Sequence, residues 1–347
     1  MMAKIKEVAK ACGVSIATVS NIMNGKGRVS EETKIKILEV ARDMNYVPNM
    51  MAKNLKQRRS KVIGIITEDL TVFNCADIID GIHELLDERG YSFILGNLRL
   101  YKKYNNEFYH NENYNNQIQE EFRIMESAQV AGIIYVCAHC REIKFIPKLE
   151  NIPIVLAYGF SRDPNIPSFI FDDEQAAYDA TNELIHNGHK KIGLITGEKF
   201  SLHTIERAKG YQRALYEAGI LYNPNLSYEG DWTREKGYEA AKSLLEVGTT
   251  AIFSMNDEMA AGVYDYISTV GLKAGQDVAL IGFDNRELCT AFTPALTTVS
   301  IPLSEIGHRS ADAMIHMLEN DIAECEQINY VTCKLMRRDS IYEVKEV

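Results

Sequence analysis

IKEVAKACGVSIATVSNIMN, residues 5–24, carries two short apolar patterns separated by a turn. In the first, Ile5, Val8, Ala9 and Cys12 recur at helical spacing and predict one inward face. Gly13 follows and suits a left-handed helix end, and Ser15 is placed to cap a second helix. In that helix Val19, Ile22 and Met23 point inward, which leaves Ile16, Ala17, Thr18, Ser20 and Asn21 on or near the opposite side. Small and polar side chains on an exposed second helix are what reading base edges in a major groove requires. An ordinary helical hairpin at a domain edge has the same spacing, so this stretch alone leaves both readings open.

The residues that follow bear on that choice. GKGRVS is a loop, and Ser30, with Thr33 one turn on and Glu31 and Glu32 in the first turn, starts a third helix. Ile35, Leu38, Val40 and Ala41 are expected to supply its buried side. Next comes PNMMAKNLKQRRSK, residues 48–61. Pro48 can open a helix too short to be stable alone in water, one expected to order only when paired with its copy on DNA. Leu55 is then the candidate wedge for a minor-groove base step, and Lys53, Lys56, Arg58 and Arg59 can meet phosphates. A plain charged linker is the competing reading.

Charge separates the chain into two parts. The net charge of −10 taken alone argues against nucleic acid. Residues 1–61, however, hold 13 Lys and Arg against 5 Asp and Glu, a balance of +8, while the remainder holds 25 against 43, a balance of −18. A basic head on an acidic body fits a head that meets phosphates and a body that does not. At 347 residues the chain exceeds one ordinary core, and 46% hydrophobic with 25% charged residues marks it as globular. The start, MMAKIKEVAK, has no apolar run of signal-peptide length, and no stretch reaches the roughly 18 apolar residues of a membrane span. Seven scattered Cys fit reduced thiols. A cytoplasmic protein with no membrane partner is expected. Cys137 and Cys140 flank His139 at metal-like spacing, but no second such pair completes a tetrahedral set, so no metal or other cofactor is expected.

From Lys61 onward apolar strands alternate with amphipathic helices. VIGIIT, YSFILGN, VAGIIYV, IPIVLAY, SFIFDD, KKIGLITG, SYEGDW, TAIFSM and VALIGFD read as strands, in a body of about ten. Helices such as CADIIDGIHELLDERG and NDEMAAGVYDYISTVG lie between them. This alternation predicts parallel sheets covered on both faces, and the strand number suggests two subdomains with a ligand cleft at the strand C-terminal ends. YKKYNNEFYHNENYNNQ, residues 101–117, has no period and reads as a long loop that either reaches over the cleft or is a plain surface excursion.

From about Lys4 to Ser340 the chain resembles the LacI/GalR family of bacterial transcriptional repressors. The resemblance is carried by KIKEVAKACGVSIATVSNIMNG, RVSEETKIKILEVARDMNYVPN and PNMMAKNL in the head, and by NGHKKIGLITG, ERAKGYQRAL, FSMNDEMAAGVYDYI and IGFDNRELCTAFTPALTTVSIP in the body. It implies a small all-α helix-turn-helix head, residues 1–47, and a hinge helix or linker, 48–60. It also implies an α/β periplasmic-binding-protein-like core of two parallel-sheet subdomains, 61–347. The first subdomain is expected over about 61–160 plus 291–323, and the second over 161–290 plus 324–343.

The resemblance also implies residue roles. Ser15, Ile16, Ala17, Thr18, Ser20 and Asn21, with Asn24 just beyond, would contact operator DNA. Asn21 stands where the family commonly has Arg, and asparagine suits adenine rather than guanine. Lys4 replaces the usual capping Thr. In the hinge, Ala52 and Leu55 match the minor-groove pair, and Lys53 replaces the usual Arg. The implied effector contacts are Phe73, Asn74, Tyr158, Arg207, Trp232, Asn256 and Asp284. Their chemistry suits a sugar such as a galactoside: Asp284 can accept hydroxyl protons, Arg207 and Asn256 can donate, and Trp232 and Phe73 offer flat faces. A purine or nucleoside corepressor is the alternative effector. Two heads for a palindromic site imply a homodimer, and the closing IYEVKEV is too short for a tetramerising coiled coil.

Other function classes fit less well. A solute-binding protein would explain the body but requires export and leaves residues 1–61 without a role. An enzyme requires a catalytic set, and the body has no GxSxG, GxxxxGK[ST], HExxH or strand-following GxGxxG. The acidic pair Asp172–Asp173 reads as a strand end leading into a helix N-terminus.

Overall fold

The computed structural model describes residues 3–23, 29–46, 60–105, 114–319 and 326–344. They fall into two compact units, Met1–Lys61 and Val62–Val347. Among the described residues no helix is long and apolar enough to cross a membrane.

The first unit holds α1 (Ile5–Cys12), α2 (Ile16–Met23) and α3 (Glu31–Asp43). Lys4 cannot cap α1 with its ammonium group, but Glu7 reaches back and accepts the Lys4 N–H at 2.7 Å, which supplies half of a capping box. Gly13 ends the helix at φ 71°. Ser15 Oγ accepts the Thr18 N–H at 3.0 Å and starts α2, and Ser30 does the same for α3 through Thr33 at 3.3 Å. The core is Val8, Ala9, Cys12, Val19, Ile22, Ile37 and Ala41. The inward face of α3 therefore differs from expectation. Ile35 and Leu38 are 52% and 43% exposed, whereas Ile37 is fully buried. KIKILEVA has enough apolar residues to fit two helical phases, and packing against α1 and α2 selects the one through Ile37 and Ala41.

In the second unit β1 (Val62–Thr67), α4 (Phe73–Glu88), β2 (Ser92–Asn97), α5 (Leu100–Tyr104), α6 (Asn115–Ser127), β3 (Gly132–Val136), β4 (Ile154–Ala157) and β5 (Ser168–Phe171) begin a first lobe. The chain then crosses into α7 (Asp173–His186), β6 (Ile192–Thr196), α8 (Leu202–Glu217), β7 (Ser227–Glu229) and α9 (Arg234–Glu246). The second lobe continues through β8 (Ala251–Ser254), α10 (Asp257–Thr269), β9 (Ala279–Asp284), α11 (Leu288–Ala291) and β10 (Thr297–Ser300). A second crossing leads to α12 (Leu303–Glu319) and β11 (Ile328–Val331), and a third to β12 (Lys334–Met336). The strand orders are β11-β5-β4-β3-β1-β2 and β12-β10-β9-β8-β6-β7. Every pairing is parallel except β10 with β12.

The first sheet shows why its strands read as unbroken apolar runs. Ile134 and Val136 face a cluster with Ile78 and Ile82 of α4 and Ile306 of α12. The alternate residues, Ile133 and Tyr135, face Ile118 and Phe122 of α6. Both faces are covered, so no polar alternation survives. In the second lobe α9 and α10 meet at Gly237 and Gly262. A Cβ at Gly237 would lie 2.0 Å from the Met259 carbonyl oxygen, and one at Gly262 would lie 2.0 Å from that of Arg234.

The lobe boundaries differ from those expected. Ser168–Phe171 pairs with β4 and belongs to the first sheet, not the second. Thr297–Ser300 pairs with β9 and belongs to the second, not the first. Ile328–Val331 returns to the first sheet beside β5. The strand total is twelve among the described residues. The aperiodic stretch 101–117 is partly helical, because α5 runs to Tyr104 and α6 starts at Asn115; residues 106–113 lie outside the described residues.

Candidate functional site

Two surfaces stand out, one in each unit. On α2 the side chains of Ser15, Ile16, Ala17 and Asn21 are exposed, while Thr18 and Ser20 are half-buried. Ser15 and Thr18 share a hydroxyl contact of 2.8 Å at the helix start. Val19 and Ile22 anchor the other side in the core. The helix thus presents a short row of small and polar groups from a fixed base. Asn24, Ala52, Lys53 and Leu55, with most of the 48–60 hinge, lie outside the described residues.

The second surface is a cleft of about 620 Å³ between the two lobes. It is built from loops that leave the C-terminal ends of the strands, where an open α/β sheet exposes the amide ends of helices and free side chains. The first lobe contributes Phe73 after β1, Tyr101 after β2, His139 after β3 and Tyr158 after β4. The second contributes Glu198 after β6, Trp232 after β7, Asn256 after β8 and Asp284 after β9. Three of these residues have positive φ without being glycine: Tyr158 at 63°, Trp232 at 73° and Asp284 at 110°. Such conformations cost about 1–3 kcal/mol each and persist where the surroundings hold them. Here they turn three side chains toward one space.

The charged centre of the cleft is a chain of buried contacts. Asp173 accepts Arg207 Nε at 2.6 Å on one oxygen and His203 Nδ1 at 2.7 Å on the other. Burial acts to raise the Asp173 pKa, and His203 and Arg207 bring it below the ordinary carboxylate value. Arg207 also donates to the Met255 carbonyl and lies over the Phe283 ring, 3.5 Å from its centroid, with Trp232 at 5.9 Å. Asp284 is half-buried beside this group. Burial pushes its pKa well above the carboxylate range, Asp257 and Asp173 add to the rise, and Arg207 and Arg286 pull against it. A carboxyl so placed gains from any ligand group that donates a proton to it. The Trp232 ring lies on Gly197, where a Cβ would come within 2.0 Å of it.

Six of the seven expected effector contacts line the cleft, and Asn74 does not. Asn74 is fully buried on α4 and donates to the Cys137 carbonyl at 3.1 Å. Asn256 reaches the cleft wall with part of its amide in use: Oδ1 caps α10 through the Met259 N–H at 2.8 Å, and one Nδ2 hydrogen goes to the Trp232 carbonyl at 2.9 Å. It shapes the Trp232 turn while its amide carries a second Nδ2 hydrogen. Arg207 likewise has its Nε bound by Asp173. Asp172 caps α7 through the Gln175 N–H at 2.9 Å, as a helix-start carboxylate does, while Asp173 turns inward. Sequence reasoning missed Asp173, His203, His139, Tyr101 and Arg286. The one available signal was the i, i+4 pair His203 and Arg207, which share a face of α8. Cys137 and Cys140 are buried, and no group of three or more His, Cys, Asp or Glu among the described residues is placed to hold a metal.

Both parts of the chain match known protein families. Residues 4–49 match the model for bacterial regulatory proteins of the lacI family, and residues 181–341 match that for a periplasmic binding protein-like domain. Catabolite control protein A of Priestia megaterium is 35% identical over 88% of this chain and 90% of its own length. The ribose operon repressor of Haemophilus influenzae is 29% identical over 99% of this chain and 100% of its own. The lac repressor dimer bound to operator and the anti-inducer ONPF has the same fold, with a TM-score of 0.79 at 24% identity, covering 99% of this chain and 100% of that one.

Proposed function

This chain belongs to the lacI family of bacterial regulatory proteins, and from that premise we propose how it works. It is a DNA-binding transcriptional repressor and not an enzyme. In our reading it acts in the cytoplasm as a homodimer on a palindromic operator. Its hold on that operator is set by a small hydroxyl-rich molecule, a sugar such as a galactoside, bound in the cleft between the lobes. The observation that carries the effector reading is the grouping of Asp284, Arg207 and Trp232 at one point of that cleft.

Charge supports a neutral ligand. Arg207 is engaged by Asp173, and Arg286 pairs with Glu258 at 3.0 Å. The lining also carries Glu198, Asp231 and Asp284, so a phosphate or carboxylate would meet more negative than positive charge. Hydroxyls can donate to Asp284 and accept from Arg207, and sugar C–H faces suit the Trp232 and Phe73 rings. The name of the ribose operon repressor points the same way. A purine remains a second reading because the same two rings could stack a base.

For the DNA side, Ser15, Ile16, Ala17, Thr18, Ser20 and Asn21 are the base-reading set, with Asn21 suited to adenine. A palindromic site needs two heads. Ile94 and Leu95, 37% and 38% exposed on the edge strand β2, offer apolar surface to a second copy. Ligand binding and operator binding are then linked by a coupling free energy.

A thermal-shift series on the full chain tests the effector reading, with monosaccharides, galactosides and purine bases as probes. A ligand at about 100 times its Kd stabilises the folded state by about 2.7 kcal/mol. A sugar is expected to raise the melting point of wild type and not of Asp284→Ala. Stabilisation by bases alone selects the purine reading. Equal stabilisation of wild type and Asp284→Ala, or none by any probe, removes the cleft assignment.

A further inference from the structure

Tyr101, on α5 after β2, lines the cleft and is 40% exposed. Its place is fixed from beneath. Fully buried Asp69 accepts the Lys102 N–H at 2.9 Å on one carboxylate oxygen, and the Thr71 N–H and hydroxyl at 2.9 and 2.8 Å on the other. The Leu100 N–H reaches the Glu68 carbonyl at 2.8 Å, and the Leu100 side chain is buried. Both neighbours of Tyr101 are thus tied to the loop between β1 and α4. That loop brings Phe73 to the same wall, where the Arg286 guanidinium of the second lobe stands 5.4 Å from the Phe73 ring centroid.

Strand order sets the length of the cleft. In the first sheet its side chains stand after four neighbouring strands, β4-β3-β1-β2, and in the second after β9-β8-β6-β7. Three strand spacings of ~4.8 Å make each row about 14 Å long. Two contacts show how the rows face each other. Tyr158, after β4, brings its Oη within 3.5 Å of His203 Nε2, after β6. Phe73, after β1, meets Arg286, after β9. The rows therefore run in opposite senses. Trp232, one strand beyond β6, falls at the β4 end beside Arg207, and Tyr101, one strand beyond β1, falls at the other. Flat aromatic faces thus stand at both ends of one cleft. A pyranose ring with its hydroxyls, built from bonds of about 1.5 Å, spans roughly half that length. By volume, a hexose at the ~30 Å³ that liquid water takes per heavy atom fills about 360 Å³ at most, against about 620 Å³ in the cleft.

We propose that the cleft takes two linked sugar rings, so that the effector is an unphosphorylated disaccharide. One ring lies on Trp232 with its hydroxyls on Arg207 and Asp284, and the second lies on Tyr101 and Phe73. Tyr101 is then the residue that separates a disaccharide from either of its constituent sugars. The inference rests on the sugar reading of the cleft and goes beyond it in the number of rings and in the residue that selects for the second.

Calorimetric titration of the full chain tests it, with α- and β-linked disaccharides of glucose and galactose, and with glucose, galactose and ribose alone. One or more of the disaccharides is expected to bind about 100-fold tighter than its constituent sugars, because a second ring face is buried. Tyr101→Ala should weaken that disaccharide about tenfold and leave monosaccharide affinity within about twofold of wild type. Tyr101→Phe keeps the ring and should stay within about threefold of wild type for both ligands. A monosaccharide that binds as tightly as every disaccharide containing it overturns the inference and leaves the sugar reading standing. Equal losses for both ligands in Tyr101→Ala overturn the selecting role of Tyr101. Binding by none of these sugars overturns the sugar reading and this inference with it.

Discussion

Replacing Asp173 by alanine would leave the Arg207 guanidinium and the His203 ring without their shared carboxylate, in a place where the Arg207 side chain is 3% exposed. Removing one partner of a buried ion pair costs about 3–5 kcal/mol, because the remaining charge stays out of water unpaired. The same lobe contains its own control. Asp265 accepts Arg234 at 2.5 and 2.6 Å, an equally close pair, but those side chains are 42% and 56% exposed. Water screens that pair, and Asp265→Ala should cost at most about 1 kcal/mol. At roughly 2–4 °C per kcal/mol for a body of this size, the melting point should fall by roughly 6–20 °C for Asp173→Ala and by no more than about 4 °C for Asp265→Ala. The assay is thermal unfolding of the full chain followed by Trp232 fluorescence. Because the folded-state pKa of Asp173 is depressed, its stabilisation is complete above the unfolded value of about 3.9 and is lost as pH falls through the lower folded value. The gap between wild type and Asp173→Ala should therefore be constant from about pH 5 to about pH 8 and narrow only below about pH 4. Equal losses for the two variants would refute the claim that burial, rather than contact length, decides the worth of these pairs.

Three further outcomes are expected. Ile37→Ala should cost about 2–5 kcal/mol and unfold much of the small head, whereas Ile35→Ser and Leu38→Ser should change stability by no more than about 0.5 kcal/mol; hydrogen exchange of the α1 and α2 amides separates the cases, and similar exchange in all three contradicts the observed face. Gly262→Ala forces α10 away from α9 and should cost about 1–3 kcal/mol or more in urea unfolding, with a wild-type midpoint as the contrary result. Because the Asp284 pKa is raised and a sugar hydroxyl donates to its ionised form, effector affinity should increase with pH as the carboxyl ionises. Binding should then release a proton, so that calorimetric enthalpy follows buffer ionisation enthalpy; affinity that falls with rising pH would contradict the assigned role.

Much of the fold was legible because the central strands of the first sheet are buried on both faces and so appear as apolar runs, VIGIIT or GIIYV, between amphipathic helices. What an apolar run does not state is which sheet it joins. Ser168–Phe171 and Thr297–Ser300 each pair with the strand just before them, β4 and β9, so nothing in their own apolar runs marks that the chain crosses between lobes after them rather than before; Ile328–Val331 joins β5, across the whole second lobe in sequence. The cleft was legible where one strand end supplies one half-buried side chain to its lining, as with Trp232 and Asp284. It was not legible at Asp173, whose two partners sit 30 and 34 residues away and whose neighbour Asp172 is an ordinary helix cap. Nor could spacing reveal that Asn256 spends part of its amide on Met259 and Trp232, because a cap and a ligand donor use the same side chain at the same place.

The three crossings between lobes also order events during synthesis. The head is one contiguous segment and can fold as soon as it leaves the ribosome, at roughly 5–20 residues per second of elongation. Neither sheet of the body can finish so early. Each takes an edge strand, β11 or β12, from the last stretch of chain that the fold uses. A nascent or prematurely terminated product would therefore carry a folded operator-reading head on a body whose two lobes are both incomplete. The fold delays the control module, not the DNA-reading one, so messenger truncation or ribosome stalling late in the gene yields a head without its switch.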